Sequence, residues 1–246
     1  MAETTEKPAK RVLIVMAHPD DGEFGVGGTV AKWAAEGRDI WYCLVTDGQV
    51  GDAGDTEITS EGLAAKRHIE AQNAADALGV QHPVIFLHYM DSRLEPTLEV
   101  RRDIARVIRQ VKPDVVICQD PTVRWSGQGY INHPDHRAAG EATLAAIMPV
   151  ASTRLAFPEL AAEGLATHNV KEIYISSTQN ADRWVDITGY VEKKAEALRQ
   201  HVSQLRGWDP LEEMTNWAKE NADRARRHGH DFTHAESFKY IKMEDD

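Results

Sequence analysis

The chain has 246 residues, 42% of them apolar, enough to bury a substantial core. Lys and Arg number 28 against 39 Asp and Glu, a formal charge of −11, and no basic cluster is longer than the isolated "RARR" (Arg224 to Arg227), which argues against nucleic acid as a partner. The polar opening "MAETTEKPAK" lacks a signal-peptide core and no later apolar run approaches membrane-spanning length, so a soluble, cytoplasmic protein without membrane contact is expected.

Apolar runs rich in β-branched residues alternate with stretches of helical period. Strands are expected at Arg11 to Ala17, Asp39 to Thr46, Pro83 to Tyr89, Asp114 to Asp120 and Glu172 to Ser177. Helices are expected over Gly62 to Gly79 and Thr97 to Pro113, from near Arg137, and over Thr188 to Leu205 and Pro210 to Gly229. This alternation predicts an α/β fold, a doubly wound, mostly parallel sheet with helices on both faces. Cys43 and Cys118 fall inside strands and are expected as reduced core thiols. No repeat or linker divides the chain. A single domain over 1–246 is expected, with 1–10 flexible and 206–246 a helical extension packed on it.

Two motifs stand at the carboxyl ends of predicted strands, where such sheets bind ligands. "MAHPDDGEFGVGG" (Met16 to Gly28) leaves the first strand, and "HPDH" (His133 to His136) follows the long loop after the fourth. If those two strands are neighbours, the motifs meet. A dinucleotide fingerprint is not formed: Gly25 and Gly27 are followed at the third glycine position by Val30, and Asp20 and Asp21 would lie against an anionic pyrophosphate. His18 with Asp21, and His133 with His136, are each three apart, so either pair could converge on one ion. Two imidazoles and a carboxylate with one open position make a standard catalytic zinc shell. The remaining carboxylate and histidine are then available for base and acid work.

These residues resemble the PIG-L-like, or LmbE-like, de-N-acetylases. The resemblance rests on "AHPDDGEFGVGGT" and "HPDHRAAGEA", supported by "TDG" (Thr46 to Gly48), "AAKRHIEAQNAADALG" (Ala64 to Gly79), "YMDSRL" (Tyr89 to Leu94), "KPDVVICQDP" (Lys112 to Pro121), "VDIT" (Val185 to Thr188) and "KAEALRQHVSQ" (Lys194 to Gln204). It implies a Rossmann-like fold and metal-dependent removal of acetyl from N-acetylated sugars, small molecules of the N-acetylglucosaminide kind. It makes His18, Asp21 and His136 the ligands of Zn2+, with Fe2+ able to occupy the same shell. Asp20 becomes the general base, His133 the oxyanion partner and acid, and Asp135 the residue that orients His133. Arg67 and Asp91 match positions that contact sugar hydroxyls. Arg124 could bound the substrate mouth, and Tyr130 is a candidate oxyanion helper displaced by one residue from the usual tyrosine. Some members of the family form trimers or hexamers, so a homo-oligomer is compatible with the resemblance.

The chain departs from the family where many relatives have glutamate: Gly22 follows the paired aspartates, with Glu23 next, and Gln49 follows "TDG". His201 matches a family position without an assigned role. The tail that carries His228, His230 and His234 is read as a solvated helix end followed by a strand or loop that packs near the active-site rim, rather than as a second metal site. His68, His82, His88 and His168 have no motif around them. Three rival readings remain at this stage: an amidase acting on a larger sugar-linked thiol conjugate with the same metal core, a nucleotide-binding module without chemistry, and an inactive scaffold.

Overall fold

The computed structural model describes residues 10–244; the stretch 1–10 expected to be flexible lies, up to residue 9, outside them. In chain order the elements that frame the fold are β1 (Arg11–Met16), α1 (Asp21–Ala35), β2 (Asp39–Thr46), α2 (Ser60–Leu78), β3 (Ile85–Tyr89), α3 (Leu98–Val111) and β4 (Val115–Gln119). They continue as β5 (Trp125–Ser126), β6 (Tyr130–Ile131), α4 (Pro134–Ala145), α5 (Pro158–Ala162), β7 (Glu172–Ser176) and β8 (Arg183–Asp186). α6 (Val191–Leu198), α7 (Val202–Leu205), α8 (Leu211–Arg226) and β9 (Ala235–Lys242) complete the series.

The main sheet has the order β3-β2-β1-β4-β7-β9-β8. Its first five strands are parallel, and β9 runs antiparallel to both β7 and β8. β5 and β6 form a separate exposed hairpin. β1, β2 and β4 are covered on both faces, which is why they read as nearly continuous apolar runs. Along β1, Val12, Ile14 and Met16 pack towards α1, α2 and α6, while Leu13 and Val15 pack towards α3 and α4. Each such buried aliphatic side chain contributes roughly 1.5–3 kcal/mol. Cys43 and Cys118 are buried free thiols within these layers.

β1 and β4 are neighbours, Val12 to Val15 facing Val115 to Cys118. The strand order therefore reverses beside β1, and the crevice at its carboxyl end receives both motifs. α4 begins earlier than the sequence suggests, at Pro134 rather than near Arg137. Proline suits the first helical turn, and the His133 side chain caps the helix by accepting from Asp135 N–H. Gly140 lets α4 lie directly on the end of β4, since a Cβ there would stand 2.3 Å from Gln119 O.

The single helix expected over Thr188 to Leu205 is two, α6 and α7, because His201 leaves the helical region (φ −80°, ψ 56°) with its side chain fully buried. In the segment 206–246, read as a helical extension, α8 is followed by β9, a strand seated between β7 and β8. Lys194 on α6 and Glu236 on β9 form a buried ion pair (2.6 Å), and Glu236 also accepts from Gly28 N–H and Thr29 N–H of α1. Among the described residues no helix is long and apolar enough to cross a membrane.

Candidate metal centre and active site

The turn out of β1 is held from two sides. Gln119 Oε1 accepts from Ala17 N–H (3.0 Å), and Ala17 O accepts from Thr46 N–H and Oγ1–H (2.9 Å each). Asp20 then adopts φ 98°, a left-handed conformation that costs a non-glycine residue about 1–3 kcal/mol. Arg67, only 4% exposed, clamps this strained turn. Its Nη2 donates to Asp20 Oδ2 (3.0 Å) and to Pro19 O, and its Nη1 donates to Gly48 O (2.9 Å). Asp21 opens α1 and accepts from His18 N–H at 2.8 Å. Carboxylates in a first turn suit the helix dipole, and here Asp20 and Asp21 occupy the end where a pyrophosphate would have to sit. A Cβ on Gly22 would stand 2.5 Å from the Tyr42 ring, so in this chain the position after the paired aspartates leaves no room for a side chain unless the ring moves.

The two motifs converge on Asp21. Its Oδ2 lies 3.2 Å from His18 Nδ1 and its Oδ1 lies 3.1 Å from His136 Nε2. The far nitrogen of each imidazole is engaged elsewhere. His136 Nδ1 is 2.9 Å from Asn132 Oδ1, and the Asn132 amide is oriented by donating Nδ2–H to Val123 O (2.8 Å). His18 Nε2 faces Asp91 Oδ1 (3.2 Å) and Asp135 Oδ2 (3.3 Å). A histidine that donates its outer N–H to such an acceptor presents the other nitrogen's lone pair inward. His18 Nδ1, His136 Nε2 and the Asp21 carboxylate thus form a two-nitrogen, one-carboxylate donor set suited to zinc. His133, His18 and His136 also bring ring nitrogens within 4.8 Å of one another, so His133 borders the same space.

The charges fit a cation. Burial opposes the imidazolium of His18, but the carboxylates of Asp21, Asp135 and Asp91 outweigh it and raise its pKa well above the usual value. Burial likewise opposes ionisation of Asp21, yet His136 and His18 hold its pKa well below the carboxylate range. Asp20 differs: burial pushes it up to about 6, with Arg67 pulling down and Asp21 pushing up. His133, about a third exposed, is lowered by burial and by the neighbouring His18.

Several expected roles move. Asp135, expected to orient His133, has its carboxylate committed to Ser92 N–H (2.7 Å), Leu94 N–H (3.3 Å) and His18 Nε2. It stands 3.9 Å from His133 Nδ1, which instead accepts the Asp135 backbone N–H at 3.2 Å. Asp91, 5% exposed, backs His18 and accepts from Val50 N–H and Ser92 Oγ–H instead of facing open space. A cleft of about 1130 Å³ is lined by Asp20, Asp21, His136 and Tyr130 and runs to Trp217 and Arg224 of α8; Arg67, Asp91 and Arg124 are not in its wall. Tyr130 is the expected substrate contact that the cleft does reach.

Glu23, in the first turn of α1, and His201, between α6 and α7, are both buried and stand 3.3 Å apart. Gln49 braces Asp91, accepting from its N–H at 3.2 Å. In the tail His228 stacks on Trp184 and His230 on Phe232. Gln119 and Asn132 carry no motif in the sequence; the one signal for Asn132 is its place four residues before His136, just outside the start of α4.

The family profile of the GlcNAc-PI de-N-acetylases (PIG-L) matches residues 13–147. Diacetylchitobiose deacetylase of Thermococcus kodakarensis is 36% identical over 196 residues, 80% of this chain and 70% of that one. The 1D-myo-inositol 2-acetamido-2-deoxy-alpha-D-glucopyranoside deacetylase of Rhodococcus erythropolis is 29% identical, over 80% and 82% of the two chains. The solved structure of N,N'-diacetylchitobiose deacetylase from Pyrococcus horikoshii superposes with a TM-score of 0.83 at 30% identity, covering 96% of this chain and 85% of that one. With the profile spanning more than half of the sequence and both of its motifs meeting in one crevice, the chain belongs to the PIG-L de-N-acetylase family.

Proposed function

We propose that the protein is a hydrolase that removes the acetyl group from an N-acetylated amino sugar of the N-acetylglucosamine type, with zinc held by His18 Nδ1, Asp21 and His136 Nε2. The observation that carries this reading is the pair of oriented imidazoles, each with its outer nitrogen engaged and its inner nitrogen turned to Asp21. Bound there, the cation would supply Lewis acidity, lowering the pKa of water from 15.7 towards about 7 and polarising the acetyl carbonyl.

The remaining steps belong to the chain's own groups. Asp20, lifted to about 6, is a carboxylate at neutral pH yet basic enough to take a proton from the attacking water. Arg67 fixes its direction and limits how far burial can neutralise it. His133 Nδ1 accepts a backbone N–H, which leaves its proton on Nε2, available to the developing oxyanion. Protonating the leaving amine requires a second proton on His133; the proton that Asp20 takes from the water supplies it, so that both groups return to their starting states when the amine leaves. The amide C–N bond breaks, and acetate and the free amine leave.

The substrate class is supported by relatives that deacetylate diacetylchitobiose and an N-acetylglucosaminyl inositol. The cleft exceeds the roughly 300–1,000 Å³ of ordinary small-molecule pockets, which supports an acceptor portion extending from the sugar towards Trp217 and Arg224. The test is acetate release from N-acetylglucosamine and diacetylchitobiose before and after chelation. Chelator-sensitive release restored by zinc is expected; unchanged release after complete metal removal would overturn the assignment.

A further inference from the structure

A second cluster stands outside this centre, on different elements. Asp47 follows β2, His68 lies on α2 and His88 is near the end of β3. His68 Nε2 is 2.7 Å from Asp47 Oδ1, and His88 Nδ1 is 2.9 Å and 3.2 Å from the two Asp47 oxygens. The three ligand atoms lie within 4.8 Å of one another. The Asp47 carboxylate is buried, whereas His88 is largely exposed, so the cluster has a carboxylate floor and a mouth open to solvent.

The backbone is distorted at this point. Between the pairs Leu44↔Phe86 and Thr46↔Tyr89, β2 advances two residues and β3 three. The extra residue makes a bulge, and bulges re-aim side chains. Within it His88 adopts φ 60°, a left-handed conformation uncommon outside glycine that asparagine, aspartate and histidine take more readily than other residues. An ordinary pairing elsewhere in the chain looks different: a single imidazole, His82, meets Asp39, which also takes Arg11 and the Trp41 indole, and the His82 ring is stacked on Trp41. At Asp47 two imidazoles from separate elements converge on one carboxylate, and one of them is turned there by the bulge and its left-handed backbone.

We propose that Asp47, His68 and His88 form a second metal site, for a divalent transition ion of the zinc, copper(II) or nickel(II) type. Two imidazoles and one carboxylate match the ligand preferences of these ions, and solvent completes the shell. The bound ion takes the place of the two protons that His68 and His88 now share with Asp47. It ties together α2, the end of β3 and the loop after β2. That loop presents Gly48 O to Arg67, and Gln49 and Val50 to Asp91, so the ion stiffens the frame on which Asp20 and His18 rest.

The test is metal stoichiometry after dialysis against buffered free zinc, read by mass spectrometry. Wild type should hold two ions per chain, His136→Ala one, His88→Asn one and the double variant none; His82→Asn should still hold two. Asparagine tolerates the left-handed conformation and His88 is exposed, so His88→Asn should fold. In the His136→Ala background, zinc at about ten times its dissociation constant should raise Tm by roughly 3–6 °C, and His88→Asn should abolish the rise. One ion in wild type that His136→Ala removes and His88→Asn leaves overturns the second site. One ion that His88→Asn removes and His136→Ala leaves supports it and overturns the first.

Discussion

Replacing Asn132 by leucine removes the acceptor that holds the His136 Nδ1–H while leaving every proposed ligand in place. The bond is 2.9 Å long, and Asn132 is 8% exposed, so little water is available to replace it. Freed of its partner, the imidazole can place its proton on Nε2, the nitrogen needed inward. Loss of such an outer partner typically costs 10–100-fold in metal affinity, or about 1.4–2.8 kcal/mol. Leucine also orphans Val123 O, which otherwise accepts the amide N–H, and that penalty of about 1–3 kcal/mol falls on folding instead. Asn132→Asp separates the two effects: it keeps an acceptor for His136, now a charged one, and loses the donor to Val123. Competition against a chromogenic chelator should therefore show weakened binding in Asn132→Leu and near wild-type binding in Asn132→Asp, with thermal melts reporting the shared folding cost. A leucine variant within twofold of wild-type affinity would refute the orientation argument.

Asp20→Asn should retain its metal while turnover falls by about 10²–10⁴, the usual worth of a general base; full activity would remove Asp20 from that role. The pH profile follows from the same group. The base must be ionised, so the rate falls as pH drops through its pKa, and a cation beside it can only lower the value of about 6 that burial produces. The acid limb of kcat/KM should accordingly lie at or below about pH 6, and a limb near 8 would assign it to another group. Lys194→Met breaks a buried pair and leaves Glu236 charged beneath α1. It should cost about 3–5 kcal/mol, seen as a lower urea midpoint at unchanged slope, and a loss under about 1 kcal/mol would contradict the pair's structural role.

The sheet and the two motifs were legible because both depend on short-range pattern. β1, β2 and β4 are buried on both faces and announce themselves as apolar runs, and His18, Asp21 and His136 carry chemistry at helix-turn spacing. What escaped depends on contacts distant in sequence. Asp135 looks like a partner for its neighbour His133, but its carboxylate is drawn away by N–H groups of Ser92 and Leu94, more than forty positions earlier. Arg67, expected at a sugar hydroxyl, has its guanidinium committed to clamping the turn at Pro19 and Asp20, on another element. The β3 bulge that turns His88 onto Asp47 leaves no mark in composition, and β9 was legible only as a strand or loop after the last helix because its partners β7 and β8 lie far earlier in the chain.

A cation bound between His18, Asp21 and His136 is the centre of the proposed chemistry. Anomalous diffraction from crystals grown with zinc, recorded on either side of the zinc absorption edge, tests this directly. A peak within coordination distance of His18 Nδ1, His136 Nε2 and an Asp21 oxygen is the predicted result. A map with zinc elsewhere and nothing among these three groups would contradict it.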